Sequence, residues 1–353
     1  MRNNKLFRIG VVALSIVLVA CAGGSSDEAG CPVIEDRKIN VVATTPMVGE
    51  FVSQVGGDNI NLTVIMPPEA DPHTYEPAPQ DAGTIADADL VFYTGLKYEP
   101  AAVIKLLENS ACSTEVLAEV GENVFPIEFK EGGHDDHGDH DDHDEEGHDD
   151  EEDHDDEEGH DDEEGHDDHD GHEGHGHGAF DPHFWFDPNR VAYATEYIES
   201  KLVEFDPNNA SSYETAGSDY TDELKGLTGQ VSDLISTVPS QNRKLITTHE
   251  SLGYLEAKFG LEVLSTIIPS LDSANEISPA QLVDVIDVIE DNNVKVIFIE
   301  AEAPSVYAET IVAETGIKAV EGLWVETLKE GQSYPDFLIS AVELIVENLR
   351  NTD

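Results

Sequence analysis

Apolar residues in the first third of the chain gather into short runs at Ile39 to Ala43, Leu62 to Met66, Leu90 to Tyr93 and Val124 to Ile127. Segments with helical spacing separate them, near Pro46 to Val55, Pro79 to Ala86 and Glu99 to Glu108. Short buried runs alternating with amphipathic helices predict a parallel sheet covered by helices. The same alternation resumes at Lys244 to Thr247 and continues through Glu262 to Leu264, Val296 to Ile299 and Ala319 to Leu323. There Ser278-Pro279-Ala280-Gln281 reads as a capping box, and Leu282, Val285, Ile286 and Ile289 share one face of the helix that it opens.

The two halves are bridged by helical sequence. A helix is predicted near Asn189 to Glu204, followed by Asp206-Pro207-Asn208-Asn209, which reads as an N-cap aspartate with proline at the first helical position. Tyr213, Tyr220, Leu224, Leu227, Val231 and Leu234 follow at spacings of 7, 4, 3, 4 and 3. They form one apolar face of a helix of about 30 residues, roughly 45 Å long, weakened by Gly217, Gly226 and Gly229. The expected fold is therefore α/β, with two lobes of parallel sheet and flanking helices joined by one long helix.

Charge and composition add three segments to that plan. Arg2, Lys5 and Arg8 precede an apolar run from Ile9 to Ala20, the layout of a secretory signal and too short to span a bilayer. Leu18-Val19-Ala20-Cys21 resembles the lipobox of bacterial lipoproteins, so Cys21 is expected to be the acylated mature N-terminus, with residues 21–37 as a flexible tether. An ordinary secretory signal with an incidental cysteine is the alternative. Cys31 and Cys112, in an exported chain, leave open either a disulfide or two free thiols.

The third segment is the insertion Glu131 to Gly178, which holds 26 Asp or Glu and 12 His but neither Lys nor Arg. A hexad runs through it as EEGHDD, EEDHDD and EEGHDD twice more, from Glu145 to Asp168, with no apolar side chain to bury. Such a composition predicts disorder. It splits the first lobe into residues 38–130 and 179–206, ahead of a linking helix at 207–238 and a second lobe at 239–353. The net charge is −57, and −31 remains once the insertion is set aside. That excess excludes a nucleic-acid partner and points to a cationic one.

Twelve of the 15 histidines lie in the insertion, at His134, His137, His140, His143, His148, His154, His160, His166, His169, His172, His175 and His177. Only His73, His183 and His249 remain for the folded body, each in a loop beside a strand end. Ligands in open α/β sheets bind beyond the carboxyl ends of strands, so three loops from two lobes can converge on one cleft. Imidazole suits zinc and its late first-row neighbours, and prolines beside His73 and His183 stiffen the backbone that presents them. Asp71, Asp181 and Glu250 are candidates to fix imidazole tautomers, although an aspartate before proline is equally a turn residue.

Asp71-Pro72-His73-Thr74-Tyr75-Glu76-Pro77, Asp181-Pro182-His183-Phe184-Trp185-Phe186-Asp187-Pro188 and Thr248-His249 through Gly253-Tyr254 resemble motifs of one family, the substrate-binding proteins of zinc and manganese ABC transporters. The resemblance covers about Val41 to Val346. It implies two lobes clamped by a fairly rigid helix, one metal buried at their interface, and a permease and its ATPase as partners. It also implies His73, His183 and His249 as ligands. Zinc members tend to carry histidine at the third position and manganese members glutamate, so zinc is expected ahead of manganese. The family's fourth ligand is an aspartate, but the matching place here reads Leu323-Trp324-Val325-Glu326, which leaves Glu326 or water to fill the site. Glu300 is a weaker candidate, read as capping or orienting a loop.

The insertion admits three readings: a collector holding zinc weakly at many places, a regulatory lid, or a solvating spacer. A monomer is expected, outside the cytoplasm, touching the membrane only through its lipid. A metal-dependent hydrolase is disfavoured because the body has no fourth histidine for a second metal and His249-Glu250-Ser251-Leu252-Gly253 lacks the second histidine of a zinc protease. A surface metal buffer or adhesin without a transporter is the remaining alternative.

Overall fold

The computed structural model describes residues 31, 37–129, 180–302 and 306–350. Two four-stranded, all-parallel sheets organise the chain. The first has strand order β2-β1-β3-β4, with β1 Ile39–Ala43, β2 Ile60–Val64, β3 Leu90–Tyr93 and β4 Leu117–Glu119. The second repeats that order as β6-β5-β7-β8, with β5 Lys244–His249, β6 Glu262–Ile268, β7 Val296–Glu300 and β8 Lys318–Leu323. Helices α1 Pro46–Gly56, α2 Pro79–Ala86 and α3 Ala101–Ser110 serve the first sheet. Around the second lie α6 Gly253–Phe259, α7 Pro279–Asp291, α8 Val306–Thr315 and α9 Tyr334–Leu349.

Between the sheets run α4 Pro188–Phe205 and the 27-residue α5 Ala210–Ser236, which at 1.5 Å per residue is about 40 Å long. The buried face of α5 is Tyr213, Gly217, Tyr220, Leu224, Leu227, Val231 and Ile235. One continuous apolar core passes from β1 and α1 through α4 and α5 to α9. At Gly217 a Cβ would lie 2.2 Å from Glu199 Oε2, so the glycine that weakens the helix also lets α4 approach it.

Four local expectations are corrected. Val124 to Ile127 is not a strand: Phe125 has a left-handed φ of 53°, and Arg190 Nη1 donates to the carbonyls of Val124 and Phe125. Leu117–Glu119 pairs with β3 instead. The second strand sits slightly earlier than the apolar run Leu62 to Met66, because Ile60 pairs with Ile39. Asp206 does not cap the long helix; its carboxylate accepts from Asn209 Nδ2 and the Tyr213 hydroxyl, and a 3-10 turn at Pro207–Asn209 leads into α5. The last core position on α5 is Ile235 and not Leu234, which is only partly buried. The capping box at Ser278 and Gln281 forms as expected.

Among the described residues no helix is long and apolar enough to cross a membrane. Cys31 is joined to Cys112 by a disulfide, closing a loop across 81 residues. Cys21 and the insertion lie outside the described residues.

Candidate metal centre

His73 and Glu326 follow strands and His249 and Glu300 end them, whereas His183 follows no strand and comes three residues after the isolated bridge of Phe180 with Glu128. His73 comes after β2, in a 3-10 turn Pro72–Thr74 whose N-cap is Asp71. His183 stands just before the 3-10 turn Phe184–Phe186, itself followed by the Asp187 cap of α4. His249 is the last residue of β5, Glu300 the last of β7, and Glu326 follows β8.

Ligand atoms of His73, His183, His249 and Glu326 all lie within 4.8 Å of one another. Glu326 Oε1 is the focus, at 2.7 Å from His249 Nε2, 3.2 Å from His183 Nε2 and 3.4 Å from His73 Nε2. Its side chain and those of His183 and His249 are fully shielded from solvent, and that of His73 is only 4% exposed. Nε2 of His73 and of His249 are buried with no hydrogen-bond partner, so the short approach of His249 to Glu326 is a convergence without hydrogen-bond alignment. Leaving such nitrogens unpaired costs about 1–3 kcal/mol each. A divalent cation among the four atoms removes that cost and draws on the lone pairs.

The opposite ring nitrogens determine which face each imidazole offers. His183 Nδ1 is 2.8 Å from Asp181 Oδ1, which also accepts from the His183 backbone N–H at 2.8 Å. His249 Nδ1 is 2.5 Å from Glu300 Oε2, while Glu300 Oε1 accepts from the His249 N–H and from Ser251 Oγ. Donation from Nδ1 leaves Nε2 as the lone-pair face in both rings. Asp71 differs: its Oδ1 accepts from the His73 N–H at 2.9 Å to make the turn and its Oδ2 accepts from the Ser273 hydroxyl at 3.5 Å, while Asp272 stands 4.0 Å from His73 Nδ1. Glu250 accepts from Thr266 Oγ1 and does not reach the cluster's imidazoles. The tautomer-fixing carboxylates are thus Asp181 and Glu300.

Burial alone would push both His183 and His249 down. Glu326 and Asp181 outweigh it at His183, raising that group to about 9, and Glu300 and Glu326 raise His249 well above its ordinary value. For Glu326 burial pushes upward, but the three imidazoles hold it well below the usual carboxylate range. Proton and cation therefore compete for the same nitrogens around a carboxylate that stays ionised.

Sequence motifs did not reveal what supports Glu326. The Tyr98 hydroxyl reaches its Oε2 at 2.9 Å and its carbonyl at 3.0 Å; burial first, and then Glu326, keep that hydroxyl protonated. Glu302 Oε1 accepts backbone N–H groups from Val325, Glu326 and Thr327. Trp185 Nε1 donates to the Val325 carbonyl, Tyr334 to that of Trp185, and Tyr254 to that of Asp181. The bonds of Tyr98, Trp185, Tyr334 and Tyr254 join the lobes around the cluster. Parting the lobes would orphan them and expose rings whose burial contributes roughly 1.5–3 kcal/mol each.

Residues 41–348 match the family described as "ZnuA: Zinc-uptake complex component A periplasmic". The chain belongs to this family. A manganese ABC transporter substrate-binding lipoprotein of Streptococcus mitis is 28% identical over 360 residues, covering 98% of this chain and 99% of that protein. The periplasmic zinc binding protein TroA of Treponema pallidum has the same fold, with a TM-score of 0.69 at 20% identity, covering 89% of this chain and 100% of that one. The Fe(III)-bound YtgA of Chlamydia trachomatis aligns at TM-score 0.68 and 21% identity over 88% of this chain and 98% of its own. The chain is accordingly an extracytoplasmic metal-binding component of an ABC importer, a family of solute carriers and not of enzymes.

Proposed function

We propose that the protein captures zinc through His73, His183, His249 and Glu326 and delivers it to a permease driven by an ATPase. The observation that carries this reading is the donor set: three imidazole nitrogens converge on one carboxylate oxygen in a site closed to water. Three nitrogens and one oxygen suit a four-coordinate zinc ion, whereas manganese favours more oxygen and more ligands. The cation is cargo here, so the site must also release it. Proton uptake by His183 and His249 supplies one chemical route.

Cys21 acylation would tether the chain to the membrane, in keeping with relatives named as lipoproteins. The histidines of Glu131 to Gly178 would gather zinc weakly and raise its concentration near the cleft; the segment rejoins the described chain at Phe180, three residues before His183. Manganese is the second reading, favoured by the names of curated relatives such as that of Streptococcus mitis. A competition titration of the full mature chain with zinc and manganese tests the choice. One zinc ion bound in preference to manganese at the first equivalent supports the proposal, and manganese preference would replace it.

A further inference from the structure

Glu326 presents its two carboxylate oxygens to different partners. Oε1 faces the three imidazoles at 2.7 to 3.4 Å, while Oε2 accepts from the Tyr98 hydroxyl at 2.9 Å. That hydroxyl also lies 3.0 Å from the Glu326 carbonyl, so side chain and main chain of one residue are held by one phenol. The Tyr98 ring cannot swing away: it is fully buried, with ring centroids 5.1 Å from His73, 6.0 Å from His183 and 5.3 Å from Trp185. Beneath it, Glu99 fixes the loop by accepting the N–H groups of Thr94 and Gly95 and the Thr44 hydroxyl. The main chain on the other side is fixed by Glu302.

A glutamate carries one more rotatable bond than an aspartate, and an unrestrained carboxylate can offer a cation either one oxygen or both. We propose that Tyr98 is a selectivity-setting positioning residue: by occupying Oε2 it confines Glu326 to one coordinating oxygen and favours four-coordinate zinc over ions that need more oxygen. The proposal rests on the zinc reading above and deepens it. Zinc is satisfied by four donors, whereas manganese seeks an oxygen-rich, six-coordinate shell that a chelating carboxylate would help to build. Tyr98 therefore acts through Glu326 without touching the ion. Removing its hydroxyl should change which ion is preferred more than it changes the fold.

The test compares Tyr98→Phe with the wild type in the full mature chain, at less than one equivalent of metal so that the tightest site fills first. Zinc and manganese affinities are measured by competition with a chromophoric chelator, and cobalt(II) reports coordination through its visible absorption. The expected result is a fall of about tenfold or more in the zinc-to-manganese affinity ratio, the scale of losing one outer partner of a metal ligand. The cobalt band should weaken at the same time, as an added oxygen raises the coordination number. In a Glu326→Gln background, where only one side-chain oxygen exists, the same Tyr98→Phe change should leave the ratio unaltered. Equal losses for both metals with an unchanged cobalt spectrum would overturn the proposal and reduce Tyr98 to packing. Manganese preference in the wild type would instead overturn the zinc reading, while a ratio that still shifts in Tyr98→Phe would uphold the positioning role.

Discussion

The two lobes support their candidate ligands by different means. In the first, His183 is oriented by Asp181 two residues earlier, and His73 is presented by a turn that Asp71 caps, so each motif carries its own support. In the second, His249 relies on Glu300, 51 residues away, and Glu326 relies on Tyr98, 228 residues away in the opposite lobe. Local support survives as long as the loop forms. The support of His249 needs only the pairing of β5 with β7, whereas that of Glu326 exists only when both lobes are in place, which makes Glu326 a reporter of lobe docking.

Removing a ligand should have the largest effect on that comparison. His249→Ala should reduce zinc affinity by more than the roughly 10- to 100-fold typical of losing an outer partner, and His183→Ala should do likewise, both measured by competition titration. Glu326→Ala should weaken the site less, since water can take an oxygen position. Acid comes next. With His183 raised to about 9, a bound proton must leave before zinc can bind, so affinity should fall about tenfold per pH unit below 9 for that proton, and more steeply with His249 included. The metal-free protein should show the opposite dependence: the stability from protonated His183 is fully present below about 6.5 and is lost as pH rises through about 9. Thermal melts of metal-free and zinc-loaded protein across that window would diverge as pH rises.

Smaller changes sharpen the contrast between local and distant support. Glu300→Gln removes the charge behind His249, and Asp181→Asn does the same behind His183; each should cost about 10- to 100-fold in zinc affinity. Only Glu300→Gln also disturbs the Ser251 hydroxyl bond, so its effect should be the larger. Cys112→Ser opens the 81-residue loop and should cost roughly 2–4 kcal/mol in denaturant unfolding while leaving zinc affinity unchanged. Gly226→Ala on the exposed side of α5, where an added Cβ meets nothing within 4 Å, should stabilise by roughly 0.5–1 kcal/mol.

The same contrast explains what was legible in the sequence. His73, His183 and His249 stood out because prolines, turn aspartates and strand ends surround them locally. Both sheets were visible as apolar runs, apart from β4: the run Val124 to Ile127 is more apolar than Leu117 to Glu119, but a left-handed Phe125 and the Arg190 contacts keep it out of the ladder. Glu326 could be named only by its place in a resemblance, because a single carboxylate after a strand has no pattern of its own. Glu300 was read as a loop-orienting residue, and its actual partner, an imidazole on the adjacent strand, depends on strand pairing that no local spacing encodes. Tyr98 left no signal, since a tyrosine next to a glutamate in a loop resembles any core aromatic until the second lobe arrives.

The most direct measurement is a pair of calorimetric zinc and manganese titrations on mature protein with and without residues 131–178, repeated for His249→Ala. The account predicts one tight one-to-one zinc site that survives the deletion and disappears in His249→Ala, with additional weak sites present only in the intact chain. A deleted protein that still folds yet binds neither metal tightly would contradict it, and would move the metal-binding function from the buried cluster to the histidine tract.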